Sequence, residues 1–194
     1  MALNVQPSIG LGHMKDMISG WDSVLFKLVN QGWSSPALDH VMVAVTMLGL
    51  GIVQSGMSLC LILLGFLLDR VNWRRAGYAG LVAFAFSGAA VQIAKHLWDR
   101  PRPLLVLHDV RIVDAPLFAH SFPSGHTTTA FAVMVACSFF LPRLRYVLIP
   151  LAFATAISRV YLGVHFPLDV AYGGLMGALI GVGSARLVRG SKPE

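Results

Sequence analysis

Apolar residues gather along this 194-residue chain into five long stretches separated by short polar breaks. The first covers about 41–68 and holds no charged side chain apart from its flanks. As a helix rising about 1.5 Å per residue it would measure roughly 42 Å, against about 30 Å of bilayer hydrocarbon. It must therefore tilt, bend near Gly49-Leu50-Gly51, or begin outside the apolar layer. The remaining stretches lie at about 76–97, 127–141, 146–160 and 168–188. The third and fourth are short for a span, but each runs into polar residues that a water-filled cavity can accommodate. Residues 21–33 (WDSVLFKLVNQGW) are amphipathic and too polar to cross a bilayer, so an interfacial helix is expected there, with a sixth span as the alternative. The pattern predicts an all-α, multi-pass transmembrane bundle forming one domain over 1–194. Residues 1–37 would be the interfacial segment and 38–190 the bundle. No internal repeat, low-complexity tract or linker interrupts it.

The basic residues of the breaks give an orientation. Arg70, Arg74 and Arg75 follow the first stretch, Arg143 and Arg145 the third, and Arg186, Arg189 and Lys192 the fifth. With alternating crossings all three groups fall on one side, which their positive charge marks as cytoplasmic. The loop at 99–124 and the turn at 161–167 then face the other side. Trp21, Trp33, Trp73 and Trp98 lie near stretch ends, where indoles favour the headgroup zone.

Composition agrees with the pattern. A hydrophobic fraction of 56%, charged residues at 12% and a mean hydropathy of +0.69 leave too little charge to cover a soluble globule. The formal charge of +6 does not signal nucleic acid, because the cations sit in short groups with no basic face interleaved with aromatics. Cys60 and Cys137 fall within apolar stretches, where two buried free thiols are expected. The first fourteen residues place no Lys or Arg before an apolar core, so no cleavable leader is expected.

Three polar clusters carry the chemistry. In the last, Ser158-Arg159 closes a span, Gly163 allows a tight turn, and His165 is delivered to the membrane surface. Asp169 follows Pro167 within the first turn of the next helix. It can take a hydrogen bond from one imidazole nitrogen and leave the other free as a nucleophile. An interfacial histidine beside a helix-capping aspartate is the plainer reading of that pair alone. Pro123-Ser124-Gly125-His126 reads as a loop entering a helix. Ser124 suits the N-cap, Gly125 lets an anion approach the backbone, and His126 stands where a general acid is needed. Ordinary capping would explain those four residues equally well in isolation. Lys95 and Arg102, the latter held extended between Pro101 and Pro103, offer a point charge and a planar fork to a tetrahedral anion. Arg100 is expected at lipid headgroups.

In order and spacing these residues resemble the type-2 phosphatidic acid phosphatase family of integral-membrane lipid phosphate phosphatases. The three-part signature stands here as Lys95 with Arg102-Pro103, Pro123 to His126, and Ser158-Arg159 with His165 and Asp169, without departure in type or spacing. Each part alone is weak; three in order are specific. The resemblance implies an α-helical bundle, no metal or other cofactor, and a phosphohistidine intermediate. His165 would be the nucleophile, Asp169 its orienting partner and His126 the acid. Lys95, Arg102, Ser124, Gly125 and Arg159 would hold phosphoryl oxygens, where fixed cations meet developing charge. Vanadate-dependent haloperoxidases are soluble relatives of the family, a branch the apolar stretches argue against.

The expected activity is hydrolysis of a lipid phosphate or diphosphate at the non-cytoplasmic face of a bacterial inner membrane, with the bilayer and its lipid as partners. Undecaprenyl diphosphate is the first choice by analogy with compact bacterial members, although some diphosphate-preferring ones carry Asp where Gly125 stands. Phosphatidic acid, phosphatidylglycerol phosphate and lipid A 1-phosphate stay open. A lipid carrier or flippase is the alternative of another class. His96, His108 and His120 with Asp109 and Asp114 match no tight ligand spacing and are expected to line the entrance. Gln54 and Gln92 are expected to bond helix to helix, and the glycines at 173, 174, 177 and 181 to let helices pack closely.

Overall fold

The computed structural model describes residues 9–190, with side chains from residue 20 onward; Lys192 and the first eight residues lie outside the described part. Eight helices follow in order: α1 (Ile9–Asn30), α2 (Pro36–Met47), α3 (Gly51–Leu67), α4 (Val71–Leu97), α5 (Pro103–Val106), α6 (Gly125–Phe140), α7 (Arg145–Tyr161) and α8 (Pro167–Gly190). Among the described residues there is no strand.

Local chemistry sets several of the boundaries. Ser35 caps α2 by accepting the Leu38 N–H at 3.2 Å, with Pro36 in the first turn. The first apolar stretch is broken, as the Gly49-Leu50-Gly51 segment suggested: α2 and α3 meet at 59°. Gln54 of α3 donates to the carbonyl of Leu48, the C-cap of α2, so its expected helix-to-helix bond closes the bend. Gln92 is exposed on α4, which departs from the expected interhelical role.

Helix α6 is the axis of the bundle. Every residue from Thr127 to Met134 is buried, because α4, α7 and α8 surround it. The seam between α4, α6 and α8 is built from small side chains, including Ala76, Ala79, Ala83, Ala132, Ala136 and Ala185. Small residues let backbones approach where lipid offers no hydrophobic drive for association. On α8, Gly173, Gly177 and Gly181 recur at four-residue spacing and face α6. A Cβ at Gly177 would overlap the Thr128 carbonyl oxygen, and one at Gly181 that of Ala132. The outer faces are apolar: Ile52, Leu63, Phe86, Ile93, Leu175 and Leu179 are each more than half exposed. Such a continuous apolar surface is the mark of contact with lipid.

The expectation of five strong spans holds only in part. Among the described residues two helices, α4 and α8, are long and apolar enough to cross a bilayer, and the bent α2–α3 pair is so only when its two helices are taken together. Helix α6 has 16 residues, roughly 24 Å. Helix α7 has 17, with Arg145 and Arg159 at its ends and Pro150 inside. Both are short because the chain turns polar where the candidate site begins. Cys60 is exposed on α3, contrary to expectation, whereas Cys137 is buried and both thiols are free.

Replacing Gly177 by Ala should force α6 and α8 apart, at about 1–3 kcal/mol of overpacking. The same change at Gly183, where a Cβ meets nothing within 4 Å, should be neutral or stabilising by up to about 1 kcal/mol. Thermal melts of the two variants in detergent check the contrast; equal melting temperatures would contradict the close α6–α8 contact.

Candidate active site

The up-and-down order of the helices brings the C-terminal ends of α4 and α7 to the same end as the N-terminal ends of α6 and α8. Lys95, Arg159, Ser124 to His126 and Asp169 occupy those four ends. The arginines at 70, 74, 75, 143, 145, 186 and 189 occupy the opposite end. Thus the three sequence clusters, up to 74 residues apart (169 − 95), converge.

His165 sits in the turn between α7 and α8 and is 2% exposed. Gly163 makes the turn at φ +83°, and a Cβ there would collide with the Arg111 carbonyl oxygen. Nε2 of His165 lies 3.4 Å from Arg102 Nη1. Nδ1 faces Asp169 Oδ2 at 3.6 Å, slightly beyond hydrogen-bond length, and no other acceptor takes it. The carboxylate nonetheless acts on the ring, favouring its charged form. Burial dominates it and pushes the His165 imidazole down to about 4; Asp169 opposes the shift, while Arg102 and Arg159 reinforce it. At neutral pH the ring is therefore uncharged, as a nitrogen nucleophile must be.

Asp169 is fully buried and its oxygens are taken on several sides. Oδ2 accepts the Ser121 hydroxyl and the Phe166 N–H, the latter at 2.9 Å. Oδ1 accepts Arg100 Nη1 at 2.6 Å. The Asp169 carbonyl accepts the Ser124 N–H at 3.1 Å, which joins the second cluster to the third. Arg100, expected at headgroups, is thus part of the site, bridging Asp169 and Asp22 of α1. Neither partner is near it in sequence, and no local pattern pointed to the contact.

Ser124 occupies the N-cap position of α6 but makes no side-chain cap; its Oγ instead accepts from Thr127 Oγ1 at 3.0 Å. A Cβ at Gly125 would meet only Val91, at an ordinary 3.5 Å. The protein itself does not require glycine there, in keeping with space left for a ligand against the backbone. His126 is half-buried and packs on Gly49, whose hypothetical Cβ would stand 2.7 Å from the His126 Cβ. Arg159, His165, Lys95 and Arg102 all lie within electrostatic reach of His126. The second histidine therefore shares one electrostatic environment with His165 and the three cations.

The cations are held differently from one another. Arg102 directs its fork at three carbonyls, those of Ala119 (2.8 Å), Val164 (2.7 Å) and His120 (3.2 Å). It therefore fixes the loop as well as presenting charge. Arg159 is 4% exposed; Nη1 donates to Thr46 Oγ1 at 2.7 Å, and its Nε has no partner. Thr46 and Gly49 reach the site through the α2–α3 break, and sequence reasoning identified neither as a site residue. Of the flanking histidines, His120 pairs with Asp99 at 3.1 Å and His96 with the Gln92 carbonyl at 2.7 Å. Among the described residues no three His, Cys, Asp or Glu side chains converge as a metal site. The arrangement can hold a phosphoryl group between cations, present an uncharged imidazole on one side and supply a second from another.

A family model described as the PAP2 superfamily matches residues 77–192, and the chain belongs to that superfamily. An undecaprenyl-diphosphatase of Sulfolobus acidocaldarius is 26% identical over 162 residues, covering 83% of this chain and 75% of its own length. A protein of Bacillus licheniformis named bacitracin transport permease protein BcrC is 34% identical over 99 residues, 51% of this chain and 49% of its own. The chain thus spans about half the length of some curated relatives and three quarters of others. The crystal structure of a transmembrane PAP2-type phosphatidylglycerolphosphate phosphatase from Bacillus subtilis superposes with a TM-score of 0.73. It is 28% identical and covers 91% of this chain and 89% of that one.

Gly125→Ala should leave the melting temperature unchanged, since the added methyl meets only Val91. It should nevertheless weaken binding of orthovanadate, a phosphate mimic, by about tenfold, equivalent to about 1.4 kcal/mol. Calorimetric titration checks this; undiminished affinity would mean that no anion lies against that backbone.

Proposed function

We propose that the protein hydrolyses a lipid phosphate or diphosphate at the non-cytoplasmic face of its membrane through a phosphohistidine intermediate. His165 Nε2 attacks phosphorus and the bond to the leaving oxygen breaks, with His126 giving that oxygen a proton. Water then attacks the phosphohistidine; His126 takes its proton, the N–P bond breaks, and inorganic phosphate leaves. Lys95, Arg102 and Arg159, with the Ser124 hydroxyl and the backbone at Gly125, neutralise the phosphoryl oxygens, so the reaction requires no metal. Asp169 holds the His165 ring and stabilises its charged form.

The observation that carries this reading is the buried, uncharged His165, with Asp169 behind one nitrogen and Arg102 beside the other, in electrostatic reach of His126. Undecaprenyl diphosphate is the preferred substrate, by likeness to the Sulfolobus enzyme; phosphatidic acid, phosphatidylglycerol phosphate and lipid A 1-phosphate are the alternatives. The permease name of the Bacillus licheniformis relative favours a second reading, a carrier that moves an anionic lipid without chemistry. The basic residues at the far end support a cytoplasmic assignment for that end and an outward-facing site in a bacterial inner membrane.

Purified protein in detergent with a chelator should release phosphate from at least one member of a panel of those lipids at equal mole fraction. His165→Ala should abolish the release. Release by the variant would contradict the nucleophile, and no release from any lipid would favour the carrier.

The acid limb of kcat/KM should reflect the low pKa of His165. Protonation removes the nucleophile, so activity should persist as pH falls from 7 to 5 and fail as it approaches about 4. After correction for substrate ionisation, a limb centred near the ordinary histidine value of about 6.5 would contradict a buried nucleophile.

A further inference from the structure

Helix α1 lies outside residues 77–192, the region matched by the family model. Its outer face is open, with Trp21, Val24 and Leu28 each more than half exposed. Three buried side chains at four-residue spacing, Asp22, Phe26 and Asn30, form the face that holds it to the bundle. Phe26 packs on Phe166 with ring centroids 5.6 Å apart. Asn30 donates to the carbonyls of Arg111 and Tyr161, both at 2.8 Å.

Asp22 does something different. Its Oδ1 accepts the Leu168 N–H at 2.9 Å, one of the donors that the first turn of α8 leaves free. Its Oδ2 accepts Arg100 Nη2 at 2.5 Å. The other terminal nitrogen of the same guanidinium reaches Asp169 Oδ1 at 2.6 Å, and the guanidinium lies 4.3 Å over the Phe166 ring.

We propose that Asp22 and Arg100 are positioning residues for the reaction: Asp22 fixes the Arg100 fork, and the fork holds the Asp169 carboxylate in the orientation that faces His165. This rests on the reading of His165 and Asp169 given above. A planar fork joining two buried carboxylates sets both distance and angle, which a lysine cannot do. A buried ion network adds little net stability, because desolvation offsets most of the Coulomb attraction. What it fixes is geometry. Arg100 is the donor to Asp169 Oδ1, whereas Oδ2 accepts from Ser121 and Phe166 and faces the imidazole at 3.6 Å. Without Arg100 the carboxylate can rotate and carry Oδ2 away from Nδ1. Without Asp22 the guanidinium can turn onto both Asp169 oxygens and compete with the ring.

The test is kcat and KM of the full chain in detergent on the lipid it cleaves best. Asp22→Asn retains an acceptor for Leu168 but loses the charge that holds Arg100; Arg100→Gln removes the fork, and Arg100→Lys keeps charge without it. Asp22→Asn and Arg100→Gln should each lower kcat by about 10- to 100-fold with KM little changed, and Arg100→Lys should fall between parent and Arg100→Gln. The double variant should be no slower than Arg100→Gln alone, because both act through one contact. Asn30→Ala, which loosens the other end of α1, should lower the melting temperature and leave kcat at the parent value. Parent-like kcat in Asp22→Asn, multiplied losses in the double variant, or an equal fall in Asn30→Ala would overturn the proposal. Should Arg100→Gln not fold, Asp22→Asn and Arg100→Lys decide it in the same way. His165→Ala in the same assay separates the two claims. If it is inactive while both positioning variants are unimpaired, only the positioning role fails; if it is active, the nucleophile reading fails.

Discussion

The carboxylate of Asp169 is fully buried at the start of α8, in a bundle that has few other charges to pair with it. A buried carboxylate without partners would cost several kcal/mol or would take up a proton. Around it the chain supplies Ser121 from the long loop, Phe166 from the turn, Arg100 from the end of α4 and, through its carbonyl, Ser124 from the start of α6. Asp22 adds α1 by way of Arg100. Satisfying one negative charge therefore fixes the relative placement of the elements that bear the three sequence clusters. The glycine seam between α8 and α6 completes this, because the Ser124–Asp169 backbone contact depends on close approach of the two helices near Gly173.

The cations pose the opposite problem. Lys95, Arg102 and Arg159 lie within electrostatic reach of one another, with like charges repelling in a poorly solvated place. Arg102 is stabilised by three carbonyls, but Arg159 keeps a buried Nε without a partner and His165 a buried Nδ1. Unsatisfied buried donors are costly, and they concentrate where a ligand is to be bound. An anion between the cations would bring the negative charge that they lack and an acceptor for Arg159 Nε, whereas His165 Nδ1 is turned to Asp169. Burial, reinforced by the same surplus of positive charge, keeps the His165 ring neutral.

Much of this was legible in the chain. Helices α4, α6, α7 and α8 lie within a few residues of the apolar stretches, and the α2–α3 bend falls at Gly49-Leu50-Gly51. The three clusters converge because alternating crossings leave them no other end to occupy. What escaped notice has a common cause, which is pairing between residues far apart in sequence. Arg100, expected at headgroups, has Asp22 and Asp169 as its partners. Thr46 gains meaning only from Arg159, 113 residues later. The second polar staple, in which Arg111 and Tyr161 meet on Asp39, joins three segments that no local pattern connects. Cys60 was misjudged for another reason: in a membrane protein an apolar neighbourhood in sequence marks the lipid face as readily as the interior.

The shortness of α6 and the break in α2–α3 belong together. A helix of roughly 24 Å falls about 6 Å short of the hydrocarbon layer. Its N-terminal end carries Ser124 and His126, and its other end adjoins Arg143 and Arg145. If α6 reached the headgroups, its N-terminal donors would face bulk water and their pull on an anion would be screened. Beside those donors the bent α2–α3 pair sets Gly49 against His126 and Thr46 against Arg159. Phe122 meets Tyr172 edge to face and Trp98 at a tilt over the adjoining gap between α4 and α8, which is lined by Ile93, Leu97 and Met176. Polar chemistry at that depth is therefore bounded by apolar side chains.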